Sequence, residues 1–211
     1  MPTSTRIRRA APDIAGAVAH PTENSPMTVL LRPAAPADAA ALGDLYLRSR
    51  GALAAYAPLA HAPAAVRDWL ARVLIPSGGV TVAHDGDALV GMSAHTHDGP
   101  LTWLDQLYVC PTRLREGIGA RLLAHVQALT PVALQLHTFQ PNAAAIAFYE
   151  RHGFVEIGRG DGSDNEERCP DLVYRWVAPP ASGRAASGGA DARPGGDRPG
   201  LSAAVAPDRE I

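Results

Sequence analysis

The residues best suited to chemistry lie in two runs, Leu101 to Gly119 and Pro141 to Phe154. In the first, Gly117 and Gly119 flank Ile118 at the head of an apolar stripe. Ile118, Leu122, Val126 and Leu129 follow in four-, four- and three-residue steps, which predicts a helix over 117–129. The first N–H groups of such a helix have no partners within it. Those donors, with the positive end of the helix dipole, bind anions, and glycines at 117 and 119 let a phosphate approach where a Cβ would collide. Arg113, Arg115 and Arg121 add positive charge. Ahead of the turn an alternating pattern predicts a strand over 102–109, with Trp103, Asp105, Leu107 and Val109 on one face and Leu104, Gln106, Tyr108 and Cys110 on the other. Strand, proline, cationic turn and helix in that order build a pocket for a phosphate-bearing cofactor. A glycine pair before a helix is also compatible with a plain turn, so the second run decides.

PNAAAIAFYERHGF reads as a short helix with proline at its start, glycine past its end and Phe154 opening the next strand. Asn142 and Tyr149 are seven residues apart, two helical turns, and share one side. Around these runs the pattern predicts strands at 28–32, 79–84, 88–97, 132–138, 154–159 and 171–177, and helices at 37–49 and 63–74.

The strand-P-x-x-L-R-E-G-I-G-A block followed by N-x-x-A-x-x-F-Y-E-x-x-G-F closely resembles the GCN5-related N-acetyltransferase (GNAT) superfamily, over about 150 residues from Thr28 to Val177. The second block matches at Asn142, Ala145, Phe148, Tyr149, Glu150, Gly153 and Phe154; in the first, Q/R-x-x-G-x-G/A, the leading position is Leu114, a departure. Backbone amides do most of the binding in such turns, so the loss of a side-chain donor weakens the cradle more than it abolishes it, and Arg113 or Arg115 could compensate. The resemblance implies a single α/β domain, a mixed sheet of six or seven strands with about four flanking helices, in which strands 102–109 and 132–138 splay like a V. It also implies acetyl-CoA as co-substrate, held by the backbone of Leu107, Tyr108 and Val109, by the Leu114, Arg115, Glu116, Gly117, Ile118, Gly119 and Ala120 turn, and by Asn142. The pantetheine arm would pair with the strand edge at Leu107 and Val109. Asn142 could equally cap the helix that Pro141 starts.

Acetyl transfer to an amine needs a base. A lysine-type amine has a reference pKa of about 10.4, so roughly one molecule in 2,500 is neutral at pH 7. Asp105 is the first candidate to take its proton, directly or through water, against the alternative of a hydrogen-bonded strand aspartate; His137 is the second. A backbone N–H near Leu107 to Val109 is the natural oxyanion donor. Family resemblance gives the Tyr149 phenol the role of general acid on the departing sulfur, against a packed helix aromatic. Cys110 could accept acetyl in a ping-pong route, but direct transfer in a ternary complex is expected.

The acceptor is read less directly. The loop DGSDNEERCPD, Asp161 to Asp171, sets five acids against one arginine, a field that attracts a cationic amine; Glu166 and Glu167 are the chosen residues, with His137 beside them as substrate-binding. A solvated hairpin loop is the alternative. His61, Arg67 and Trp69 are candidates for the opposite wall, although for Arg67 and Trp69 an amphipathic surface helix with Trp69 as its core anchor is the preferred reading. His95 and His97 lie two apart on one strand, with His137 as a third candidate ligand, but no H-E-x-x-H or paired-cysteine spacing supports a metal, and none is expected.

Composition fits a cytoplasmic enzyme domain. Hydrophobic residues make 46% and the net charge is -2, which argues against wholesale disorder and against nucleic-acid attraction. Two cysteines, Cys110 and Cys169, make no disulfide framework, and no apolar run reaches membrane-spanning length. Residues 1–27 read as a disordered tail with Met27 as an alternative start, and 178–211, rich in Pro, Gly, Ser and Ala, as a second one. A homodimer is one expectation, through an exposed edge on the last strand, Leu172 to Val177. A non-catalytic acyl-CoA sensor and a protein lysine acetyltransferase are the competing functions.

Overall fold

The computed structural model describes residues 29–179, so the expectations for the two tails and for Met27 lie outside the described residues. The chain runs β1 (Leu30–Pro33), α1 (Ala39–Gly51), α2 (Pro63–Trp69), β2 (Val80–Asp85), β3 (Ala88–Asp98), β4 (Leu101–Val109), α3 (Ile118–Leu129), β5 (Ala133–Phe139), α4 (Ala143–Arg151), β6 (Val155–Gly160) and β7 (Asp171–Val177). Among the described residues four α-helices flank one seven-stranded sheet, ordered β1-β2-β3-β4-β5-β7-β6. The mixed α/β architecture is the one expected.

Each face of the sheet has its own core. Against one face Ile118, Leu122, Leu123 and Val126 of α3 and Ala145 and Tyr149 of α4 pack on Leu104, Leu107, Val109, Leu134 and Leu136. On the other, Leu42, Leu45 and Tyr46 of α1 meet Val66, Leu70, Val82, Met92, Tyr108 and Phe139. The 63–74 helix forms, but its second half, Leu70–Leu74, widens into a π turn before a 3-10 turn at Ile75–Ser77. Gly91 is where α3 comes closest to the sheet: a Cβ there would lie 2.9 Å from Ile118 Cγ2 and 3.2 Å from the Tyr108 carbonyl oxygen.

Two expectations are corrected. Strict alternation put Trp103 on the face of Leu107 and Val109, with Leu104 opposite. The register shows otherwise: Ala94 stands opposite Gln106 and His95 opposite Leu104, so Asp105 is the extra residue of a β-bulge. The bulge shifts parity by one, and Leu104 joins Leu107 and Val109 in the α3-side core. The last strand is likewise no edge. β7 pairs with β5 along its whole length and with β6 on its other side, so the free edges belong to β1 and β6. The returning hairpin inserts β7 between its predecessors, a crossover that local pattern does not encode.

Candidate active site

β4 and β5 are parallel neighbours for only three residue pairs, Leu101 to Trp103 against Ala133 to Gln135. Beyond Trp103 they part, and the V expected between strands 102–109 and 132–138 is present. The Cys110 N–H donates to the Val90 carbonyl. Antiparallel ladders alternate, so Tyr108 also turns its backbone to β3, while Leu107 and Val109 turn theirs into the gap. The Val109 carbonyl already accepts from Ser49 Oγ at 3.0 Å. Tyr108 contributes little to the gap: its ring is buried and meets Tyr46 edge-on, centroids 5.0 Å apart.

Below the V, the glycine turn closes on α3. Gly117 is the N-cap residue with φ 77°, and Arg115, two residues earlier, also has positive φ, 65°. Left-handed residues alternating with others turn successive N–H groups inward, the concave arrangement that binds anions. A Cβ at Gly117 would meet nothing within 4 Å, so glycine is required there for its φ and not for room; at Gly119 a Cβ would make ordinary contacts with Phe148 and Val109. Leu114, where the family pattern has a donor, packs instead against the α3-side core. Arg113 is spent on Glu116 at 2.6 Å and Asp85 at 3.1 Å, and Arg121 is exposed. The turn opens on a cavity of about 440 Å³ lined by Val109, Leu114, Arg115, Gly117, Gly119 and Phe148, among others. Ala144 and Arg151 of α4 and His152, the residue that caps it, complete its wall. These α4 residues were not foreseen. Ala144, Phe148 and Arg151 nevertheless recur at helical spacing, a stripe pointing at the turn.

Asn142 is buried, and its Oδ1 accepts from the Ala145 N–H at 3.1 Å, the N-cap bond of α4. Tyr149 is fully buried between Phe148 and Phe154, and its hydroxyl has no hydrogen-bond partner among the described residues. Burial pushes its phenol well above the ordinary range, so it stays protonated. Asp105 is half-buried at the bulge.

Where the V opens, His137 Nδ1 lies 3.1 Å from Asp171 Oδ2, and its ring stacks on Trp103, centroids 5.4 Å apart and planes 16° apart. Two loops meet nearby: His61, after α1, contacts Glu166 of the β6–β7 loop at 3.0 Å. Glu167 goes elsewhere. It forms a 2.7 Å ion pair with Arg50, both side chains 2% exposed, with Arg50 lying over the Phe139 ring. Glu167 therefore ties the loop to α1, and three of the five acids, Glu166, Glu167 and Asp171, face basic groups of the chain itself. Burial pushes the Glu167 carboxyl above its usual range, partly offset by Arg50. Arg67 and Trp69 serve the α1–α2 packing, through Asp44 and Tyr46. The Cys110 thiol, raised by partial burial but lowered more by hydrogen bonds with Thr112 and Arg48, sits below its usual range. His95 and His97 touch, ring centroids 5.3 Å apart, but among the described residues no group of three or more His, Cys, Asp or Glu could hold a metal ion. Among those residues, too, no helix is long and apolar enough to cross a membrane.

Residues 76–156, spanning β2 to the start of β6, match the acetyltransferase (GNAT) domain family. The likeness to the GNAT superfamily is carried by that stretch. The chain is 34% identical over 76 residues to the peptidyl-lysine N-acetyltransferase YiaC of Escherichia coli (strain K12), a match covering 35% of the chain and 49% of that relative. It thus spans about half the length of YiaC. Among solved structures it is similar to the ribosomal-protein-S18-alanine N-acetyltransferase of Escherichia coli, with TM-score 0.58 and 16% identity over 76% of this chain and 100% of that one. The paia N-acetyltransferase of Thermoplasma acidophilum, solved in complex with coenzyme A, gives TM-score 0.58 and 17% identity over 72% and 99%. At these identities the structural likeness is one of fold.

Proposed function

We propose that this GNAT-like domain transfers an acetyl group from acetyl-CoA to a primary amine by direct attack in a ternary complex. The observation that carries the reading is the left-handed turn at Arg115 and Gly117, opening on the cavity beside a sheet that splits at Trp103. Inward N–H groups suit a diphosphate, and the gap suits an amide-bearing arm that pairs with Leu107 and Val109. A backbone N–H of Leu107 or Val109 offers the oxyanion a donor. Tyr149, kept protonated by burial, donates to the sulfur as the thiolate leaves. Asn142 adds a buried amide beside the arm, its cap bond notwithstanding.

Peptide amines are the favoured acceptors, on the likeness to a peptidyl-lysine N-acetyltransferase. The acidic β6–β7 loop suits a cationic chain, with Glu166 and His61 at its rim. Thiol release from acetyl-CoA, followed over lysine peptides, free peptide N-termini and small amines, tests the reading. Titration of coenzyme A by calorimetry separates an inactive binder from a protein that does not bind. No heat at millimolar coenzyme A would sink the proposal; heat without thiol release would favour a sensor.

A further inference from the structure

We propose that His137, oriented by Asp171, is the group that accepts the acceptor amine's proton; this rests on the acetyl-transfer reading. Three observations converge on it. His137 lies on β5 two residues past Gln135, the last β5 residue paired with β4, so it stands where the sheet opens. Its Nδ1 is 3.1 Å from Asp171 Oδ2 on the adjoining strand, where Asp171 is held 14% exposed. A carboxylate only accepts, so the nitrogen facing it carries the proton and the lone pair falls on Nε2, the atom that works as a base. Trp103 stacks on the ring at 16°, which fixes its plane and favours the imidazolium once formed. The side chain remains 41% exposed, so an incoming amine can reach it. Asp105, half-buried at the bulge, is a carboxylate, of a type that ordinarily titrates far below an amine.

The step balances as follows. Nε2 takes a proton from the alkylammonium, leaving a neutral amine and an imidazolium. The nitrogen lone pair forms the C–N bond at the thioester carbon. On collapse the C–S bond breaks, its electron pair leaves on sulfur, and Tyr149 supplies the proton that the sulfur gains. The attacking nitrogen sheds its second proton, which returns Tyr149 to its phenol form, and the imidazolium releases its own to water. One ammonium and one thioester become one amide, one thiol and one proton.

Charged and titratable groups on the strands beside His137 are Asp171, Tyr174 and Arg175 on β7 and Asp105 and Tyr108 on β4. The test therefore follows kcat/KM against pH for thiol release, from pH 5 to 9, with an alanine-initiated tetrapeptide and with a blocked-N-terminus lysine peptide. His137→Gln should lower kcat by about 100-fold or more, with coenzyme A affinity within about twofold of the parent by calorimetry. Its acid limb should vanish for both acceptors. His137→Glu should restore part of the rate. Asp171→Asn, a positioning change, should displace that limb while leaving coenzyme A binding intact, which a merely structural contact would not do. A His137→Gln protein with the parent's rate and profile overturns the assignment. So does loss of the limb in Asp105→Asn but not in His137→Gln. If the parent releases no thiol with any amine, the acetyl-transfer reading falls and this inference with it; an active parent indifferent to His137→Gln sinks the inference alone.

Discussion

Removing one half of the Arg50–Glu167 pair should cost far more than removing both. At 2.7 Å and an effective dielectric of 20 the two charges attract by about 6 kcal/mol. Bringing each into a site 2% exposed costs several kcal/mol, so the intact pair nets little. It is also imperfectly satisfied, since Arg50 Nη1 and Glu167 Oε2 have no hydrogen-bond partners among the described residues. Glu167→Leu leaves the guanidinium buried over Phe139 with no counter-charge, a loss of about 3–5 kcal/mol. For a domain of this size that is a fall in Tm of roughly 6–20 °C. The double variant Arg50→Met/Glu167→Leu should return to near the parent value or exceed it. The pH dependence supplies a second check. A carboxyl held above its ordinary pKa in the folded state favours folding while protonated and loses that benefit as pH rises through its folded value. Arg50→Met, which strips away the cation that lowers it, should therefore be less harmful toward pH 5 and increasingly unstable toward pH 8. Differential scanning calorimetry on the three variants over that range reads all of this. A Glu167→Leu protein melting within about 2 °C of the parent, or a double variant losing the sum of the singles, would refute the reasoning.

Four further outcomes follow from the site and its supports. Tyr149→Phe deletes a buried hydroxyl that has no hydrogen-bond partner among the described residues, so stability should hold or rise by up to about 1–3 kcal/mol while thiol release collapses at unchanged coenzyme A affinity. Gly117→Ala meets no atoms and pays only for positive φ, about 1–2 kcal/mol, read as weaker coenzyme A binding by calorimetry with the fold intact by circular dichroism. Asn142→Ala should cost about 1 kcal/mol in denaturant unfolding through loss of the α4 cap. Gly91→Ala forces a Cβ to 2.9 Å from Ile118 and should destabilise by about 1–3 kcal/mol, with α3 and its cradle displaced, detectable as a joint loss in Tm and coenzyme A affinity.

The elements were legible because each carries its own period. Ile118, Leu122 and Val126 are buried on α3 as their spacing required, and the strand limits fall within a residue or two of the expected ones. What escaped depended on partners distant in the chain. Asp105 looks like any alternating residue until β3 is laid beside it, and only the pairing reveals one residue too many. Glu167 reads as a free acid in an acidic loop because Arg50, its counter-charge, lies 117 positions away. The order of β5, β7 and β6 is set by a crossover, which hydrophobic alternation does not record. At the site, the glycine turn and Asn142 were found from short-range spacing. The Asp171–His137–Trp103 arrangement draws on three strands and was visible only as three separate residues.

The extra residue at 105 means that the tract has two phases joined at a single seam. Excising Asp105 would make β4 regular and rotate one flank by half a period. Leu107 and Val109 would then swap sides with Tyr108, burying a phenol under α3 and handing the cleft the wrong set of amides. Shortening by one should thus be worse than any point change there, and shortening by two milder than by one. Chains descended from a common ancestor with this one should vary the letter at 105 more readily than the count.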